Sequence, residues 1–412
     1  MPEAMRRVVV TGLGCVSSIG RNAAEVTAAL REGRSGMRFT PEMKQSGFKC
    51  GVYAPVVDWD SGVIDKRARK TLSRSGEYAF ASAFEALADA GLGPADVAGP
   101  QTAIVIGTAF AGLSEGVKAQ RILTGQGSPS RAGATGVVKS MSSTAAANLA
   151  VHLGVRGRAY CLSSACSTGL DAIGHAYELL AFGRHDVALC GASEEEVWRQ
   201  VGVTYDNWGG MPKTFDDRPT EACRPYDLRR EGIVMSEGGA VLVLETLERA
   251  KARGAHVWAE ILGYGCSNDG KDMFEPSGHG LRRALTQALT AAKARGASPV
   301  EYVNTHGGAS AVGDPVEVSV LREVFGPDGP PVSSTKGQTG HAMGATGALE
   351  AAYTLLMMRH GFLAKTANLT EVDPKCAGVT HIPSVVERPF RTALSFNVGL
   401  GGTNSAIVFQ KP

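Results

Sequence analysis

Apolar residues recur along this chain in two rhythms. Arg7-Val8-Val9-Val10-Thr11-Gly12-Leu13-Gly14 is a short apolar run closing on glycines, and Thr102-Ala103-Ile104-Val105-Ile106-Gly107 repeats that form, so both read as buried strands entering a turn. Asp186 to Gly191 and Gly239 to Leu244 supply two more strands. Elsewhere apolar positions return every three or four residues, over Ala23 to Arg31, Ser75 to Ala90, Thr168 to Ala181, Leu281 to Arg295 and Ala345 to Arg359, which predicts helices. Strands alternating with helices give an α/β fold class.

Two of these helices resemble each other. Ser167-Thr168-Gly169 leads through Ala176-Tyr177-Glu178-Leu179-Leu180 to Gly183, and Ala345-Thr346-Gly347 leads through Ala352-Tyr353-Thr354-Leu355-Leu356 to Gly361. The outer spacing is equal, while the inner Tyr-x-Leu-Leu triplets are out of register by two, a weak sign of internal duplication. Duplicated halves would each contribute a loop and a buried helix to one shared site. They would join between Leu244 and Ala259, where Leu247 to Gly254 ends a polar helix before a new strand.

A chain of 412 residues is long enough for two or three domains or one large duplicated unit. Lysine and arginine total 42 against 40 acidic residues, so no bulk field favours nucleic acid, and an electrostatic partner must be met by a local patch. The 52 glycines lie in motifs rather than runs, as in a closely packed enzyme. No apolar run approaches the ~20 residues that span a bilayer, so membrane insertion is not expected. Met1 to Arg7 is short and polar, with no secretory leader, and the 8 cysteines include no Cys-x-x-Cys pair. A reducing cytoplasm is the natural setting.

Chemistry concentrates in four glycine-framed motifs: Ser164-Ala165-Cys166-Ser167-Thr168-Gly169, Asn304-Thr305-His306-Gly307-Gly308, Lys336-Gly337-Gln338-Thr339-Gly340-His341, and Gly399-Leu400-Gly401-Gly402-Thr403-Asn404. Cys166 stands at a strand-to-helix junction, where the free N–H groups and positive dipole end of a helix favour a thiolate and lower the thiol pKa. The remaining cysteines, 15, 50, 161, 190, 223, 266 and 376, read as small core hydrophobes. His306 and His341 differ from the other histidines in lying inside glycine turns that permit close substrate approach. Cys166 and His306 are too far apart in sequence for a local metal-ligand pattern, and no metal is expected. Taken alone, Lys336 reads as a solvated surface charge and Glu317 as a helix-start residue. Lys66-Arg67-Ala68-Arg69-Lys70, extended by Arg74, reads as a solvated helix face.

Across nearly the whole chain these motifs, in this order, resemble the β-ketoacyl-[acyl carrier protein] synthases of the thiolase fold, most closely the synthase I/II type. Val10-Thr11-Gly12-Leu13-Gly14, Arg31-Glu32-Gly33-Arg34-Ser35-Gly36, Gly254-Ala255-His256 and Gly340-His341-Ala342-Met343-Gly344-Ala345 carry the same likeness. The resemblance implies two similar α/β halves in a layered αβαβα arrangement, residues 1–250 carrying the nucleophilic cysteine and residues 251–412 carrying both histidines. It implies that Cys166 is acylated, that His306 and His341 promote malonyl decarboxylation, and that Lys336 paired with Glu317 orders the histidines. Backbone N–H groups of Cys166 and Leu400 would form the oxyanion hole. Gly308, Ser310, Val398, Leu400 and Met141 would contact substrate. The expected partners are acyl carrier protein, malonyl and acyl thioesters, and a second copy in a homodimer paired along the strand Arg158 to Leu162. Lys66, Arg67, Arg69, Lys70, Arg74 and Arg131 would dock the acidic carrier. No cofactor is implied, because the phosphopantetheine arm arrives on the carrier.

The chain departs from the family pattern twice. Where members carry Thr-Ser-Thr-Pro after the first His-Gly, this chain has Gly308-Ala309-Ser310-Ala311, and only Ser310 keeps a hydroxyl for the pantetheine arm. Where the C-terminal loop reads Asn-Ser-Phe-Gly-Phe-Gly-Gly-Thr-Asn, Val398 and Leu400 replace the two phenylalanines, pointing to an unusual acyl chain, unsaturated, aromatic or polyene. Two other readings stand beside the condensing synthase: a subunit working with a chain-length-determining partner in a heterodimer, and a thiolase-like acyl-coenzyme A condensing enzyme. A chain-length subunit that does not elongate typically lacks the cysteine, and here Cys166, His306 and His341 are all present.

Overall fold

The computed structural model describes residues 5–60, 62–110, 112–126 and 128–412. The leader reading at the N-terminus falls partly on Met1 to Ala4, outside the described residues.

Ten strands form one sheet: β1 (Val8–Ser17), β2 (Thr102–Gly107), β3 (Ala159–Tyr160), β4 (Val187–Glu194), β5 (Gly238–Thr246), β6 (Ala259–Asn268), β7 (Tyr302–Asn304), β8 (Val332–Ser333), β9 (Thr392–Gly399) and β10 (Thr403–Gln410). Their order is β8-β7-β9-β10-β6-β1-β5-β4-β2-β3. From the outer edge inward, β3, β2 and β4 are parallel and then β5 and β1 antiparallel. From the opposite edge, β8, β7 and β9 are parallel and then β10 and β6 antiparallel. Both halves therefore repeat one topology. They meet through β1 and β6, joined only at Val9↔Glu260 and Val10↔Ala259.

The helices repeat as well. Between β1 and β2 lies α1 (Arg74–Asp89), and between β3 and β4 lies α2 (Thr168–Ala181), followed after β4 by α3 (Val203–Trp208). In the second half α4 (His279–Ala294) follows β6, α5 (Gly313–Phe325) follows β7, and α6 (Thr346–His360) precedes β9. Helices α2 and α6 are buried on nearly every face and touch strands of both halves, so they form the middle layer. Helices α1 and α4 cover the outer faces, giving the αβαβα order. At the centre α2 and α6 cross backbone to backbone: a Cβ on Gly169 would lie 2.2 Å from the Ala348 nitrogen, and one on Gly347 would lie 2.6 Å from the Leu170 nitrogen. The repeated Thr-Gly that marks the two similar helices in the sequence is thus the crossing point itself.

One expectation changes. The glycines of the first apolar run do not make a turn, because β1 continues through them to Ser17, with a register shift between Val10 and Gly12. Helix α1 packs so close that a Cβ at Gly12 would meet the Ala86 carbonyl oxygen at 2.1 Å. Glycine here answers a close approach, not a reversal of direction.

Candidate active site

Cys166 precedes α2 by two residues. Ala165 before it takes a left-handed φ of 52°, sparsely populated for a residue with a Cβ, and this throws the backbone into a sharp elbow. The Thr168 hydroxyl clamps that elbow, accepting the Ser164 N–H at 2.7 Å and donating to the Ala165 carbonyl at 2.6 Å. The β9–β10 hairpin braces it from outside: Thr403 donates to the Ser164 carbonyl at 2.8 Å, and Ser167 donates to the Asn397 and Thr403 carbonyls. The hairpin that carries Leu400 packs directly on the elbow: a Cβ on Gly399 would lie 3.0 Å from the Cys166 nitrogen.

Burial pushes the Cys166 thiol up to about 11, while the charge of Lys336 and the Leu400 N–H act in the opposite direction. The expected lowering is therefore not met at rest. Cys166 is 8 % exposed, and the loss of thiolate solvation in this buried elbow outweighs the helix terminus.

His306 follows β7, and His341 lies in the turn before α6. Their rings are 5.4 Å apart at 77°. Burial first, then the charge of Lys336, holds both well below the usual histidine value, so both are neutral. The His341 Nδ1 accepts the Met343 N–H at 2.9 Å and faces the Thr346 hydroxyl at 3.0 Å, which puts its proton on Nε2. The His306 Nδ1 faces the Asn397 amide nitrogen at 3.3 Å. That nitrogen only donates, so His306 has the same tautomer.

The order of charges behind the histidines corrects the sequence reading. Lys336 is sealed from solvent and pairs with Glu350, Nζ to Oε1 at 2.6 Å, not with Glu317. Its Nζ also donates to the His306 carbonyl, and Glu350 Oε2 accepts the Asn397 amide at 2.7 Å. Lys336, Glu350, Asn397 and His306 thus form one chain of contacts. Glu317 accepts the Gly307 N–H at 3.0 Å and the Tyr226 hydroxyl, anchoring the backbone beside His306. Burial and the neighbouring Asp314 push its carboxyl up to about 8. The sequence did carry a signal for Glu350: it is the one acid in a helix apolar on all faces, and such a residue requires a buried partner.

A cavity of 690 Å³ reaches Cys166, His306 and His341. Gly308, Ser310, Val398 and Leu400 line it as expected, whereas Met141 is 43 % exposed and is absent from its walls. Tyr205, Trp208 and Phe274 also line it, and no motif marked them. Among the basic residues, Lys66, Arg67, Lys70 and Arg131 are exposed. Arg69 pairs with Asp60, and Arg74, also exposed, pairs with Glu77 and stacks on Trp59 and Tyr78. No group of three metal-ligating side chains occurs among the described residues. No described helix is long and apolar enough to cross a membrane.

A doubled α/β fold closing over an elbow cysteine defines a condensing acyltransferase of the thiolase type. Residues 5–250 match the beta-ketoacyl synthase N-terminal domain and residues 258–370 its C-terminal domain. The chain is 40 % identical over 408 residues to 3-oxoacyl-[acyl-carrier-protein] synthase 1 of Escherichia coli strain K12, covering 99 % of each. Among solved structures it is similar to the ishigamide ketosynthase/chain length factor (TM-score 0.91, 30 % identity, 99 % of this chain and 100 % of that one). It is also similar to AntDE:AntF, a type II PKS acyl-carrier protein in complex with its ketosynthase bound to the hexaketide (TM-score 0.90, 31 % identity, the same coverage). The chain belongs to the β-ketoacyl synthase family.

Proposed function

We propose that the protein is a β-ketoacyl-[acyl carrier protein] synthase that extends a Cys166-bound acyl chain with malonyl-[acyl carrier protein]. The observation that carries this reading is the pair of neutral histidines whose Nδ1 atoms are both occupied, leaving two Nε2–H donors beside one thiol.

In the first half-reaction the Cys166 sulfur attacks an acyl thioester and its proton passes to the departing carrier thiol. The resulting oxyanion takes the N–H groups of Cys166 and Leu400. In the second, the malonyl thioester loses carbon dioxide, and the electrons of the broken C–C bond pass into an enolate whose oxygen accepts from His306 and His341 Nε2–H. The enolate carbon attacks the acyl-Cys166 carbonyl, and collapse expels the Cys166 thiolate, which then regains a proton. Lys336 and Glu350 hold the Asn397 amide that keeps His306 in its donor tautomer.

Lys66, Arg67, Lys70 and Arg131 supply the positive patch for an acidic carrier, which brings its own phosphopantetheine arm. A homodimer is supported by β3, whose outer edge has no neighbour among the described strands. A monomer at micromolar concentration by light scattering would contradict it. Pairing with a chain-length partner is the second reading, favoured by the likeness to a ketosynthase/chain length factor. Eight unpaired cysteines suit a reducing cytoplasm. Incubation with a panel of acyl carriers, then mass spectrometry of the Cys166 peptide before and after malonyl carrier, tests the reading. Acyl-Cys166 that malonyl carrier does not discharge would overturn it, and acylation from coenzyme A alone would favour the thiolase-like alternative.

A further inference from the structure

The mouth of the cavity is spanned by aromatic rings from two elements far apart in sequence. Trp208 ends α3, and Phe274 lies in the irregular segment between β6 and α4; their ring centroids are 5.1 Å apart at 65°, an edge-to-face contact. Both line the same cavity as Cys166, yet they are 54 % and 61 % exposed, so their other faces meet solvent. Two large exposed aromatics in contact at the rim of a cavity form the kind of apolar patch that marks a binding surface.

The two sides of the mouth are held differently. A π-helical turn, Trp198–Gly202, runs directly into α3, and such turns concentrate at functional sites. Asp206 fixes α3 to the protein body by accepting the Lys49 and Cys50 N–H groups at 2.8 and 2.9 Å. The Phe274 segment is fastened instead to the Leu400 hairpin: Gly401 N–H donates to the Met273 carbonyl at 2.9 Å, and Asp269 N–H to the Gly402 carbonyl at 2.8 Å. Among the described residues no hydrogen bond joins α3 to this segment. Ring contact is what joins the two sides of the mouth, and the Phe274 side is tied by its backbone to the hairpin that carries Leu400.

We infer that Trp208 and Phe274 are specificity-determining residues, an aromatic latch over the passage to Cys166 that admits slender thioester arms and restrains bulky ones. The inference deepens the condensing reading and rests on it for its biological meaning. An edge-to-face pair shifts an open–closed balance on the order of 2- to 10-fold, enough to rank substrates without barring any.

Alkylation of Cys166 tests the latch without carrier or malonyl thioester. In a Cys266→Ser background, because Cys266 is exposed, the rate with an N-aryl maleimide is compared with that of iodoacetamide by mass spectrometry of the Cys166 peptide. Trp208→Ala and Phe274→Ala should each raise the maleimide-to-iodoacetamide ratio by about 2- to 10-fold. The double variant should rise no further than the better single, the non-additivity of one shared contact. Trp208→Phe, which keeps a ring, should restore the parental ratio. An unchanged ratio, or independent multiplicative effects of the two substitutions, overturns the latch while leaving the condensing reading untouched. Conversely, absent condensation with a raised ratio would remove that reading and leave the latch.

Discussion

Lys336 Nζ stands 2.6 Å from Glu350 Oε1, both side chains being 2 % exposed or less, and the second Glu350 oxygen holds the amide that faces His306. A charge so enclosed is tolerated only with its partner.

Glu350→Ala should therefore destabilise the protein by about 3–5 kcal/mol, because it strands the Lys336 ammonium. Glu317→Gln keeps an acceptor for the Gly307 N–H and should cost at most about 1.5 kcal/mol. Urea unfolding of both variants checks the assignment. Equal losses, or a larger one from Glu317→Gln, would mean that Lys336 depends on Glu317 after all.

Cys166→Ala should abolish acyl transfer and condensation yet retain malonyl decarboxylation, since in the proposed mechanism the histidines act on malonate while the thiol holds the other substrate. His306→Ala or His341→Ala should instead lower decarboxylation by about 10²–10³ with acylation less affected, each removing one donor to the enolate oxygen. Asn397→Ala should cost about 10-fold through the lost orientation of His306. Release of labelled carbon dioxide and acylation of Cys166 measure the two steps separately. Normal decarboxylation without His341 would refute the two-histidine mechanism.

The pH dependence of stability carries a definite sign. Glu317 titrates at about 8 in the folded protein, above the ordinary carboxyl value of 4.5, so between those values the folded state holds a proton that the unfolded chain has lost. Its contribution is complete below pH 4.5 and disappears as pH rises through 8, with a slope of up to about 1.4 kcal/mol per unit. Unfolding free energies at pH 5, 6.5 and 8 should fall more steeply for the parent than for Glu317→Gln. Parallel profiles would show that Glu317 is ionised throughout.

What the sequence revealed follows from how local each signal is. Helix α2 was legible to the residue, because its apolar period and the small residues before it are contiguous. The duplication was visible in the Thr-Gly pairs, although only the matching strand orders make it compelling. The partner of Lys336 was only half legible: a lone acid in the apolar α6 marks Glu350 as needing a buried partner, but that this partner is Lys336 depends on how α6 packs against the loops. Thiol acidity failed for a similar reason, since a helix terminus can be read from a motif but the hairpin packed on it comes from the far end of the chain. Trp208 and Phe274 had no local mark, because their meaning arises only when α3 and the segment before α4 converge on one opening.

Leu400 stands in the hairpin that packs on the Cys166 elbow, and it lines the cavity where the family resemblance puts a phenylalanine. Leucine has no ring to wedge between the thiol and the cavity, so on the proposed gating role the passage behind Cys166 should open with less rearrangement and accept stiffer acyl groups. Leu400→Phe should accordingly depress condensation of the chain this enzyme prefers more than that of short saturated chains. The backbone N–H is retained, so acylation by a small acyl thioester should persist. Comparing turnover across saturated, aromatic and conjugated acyl carriers checks this expectation. A variant with the parental chain profile would show that selectivity lies elsewhere in the cavity and that the leucine is neutral.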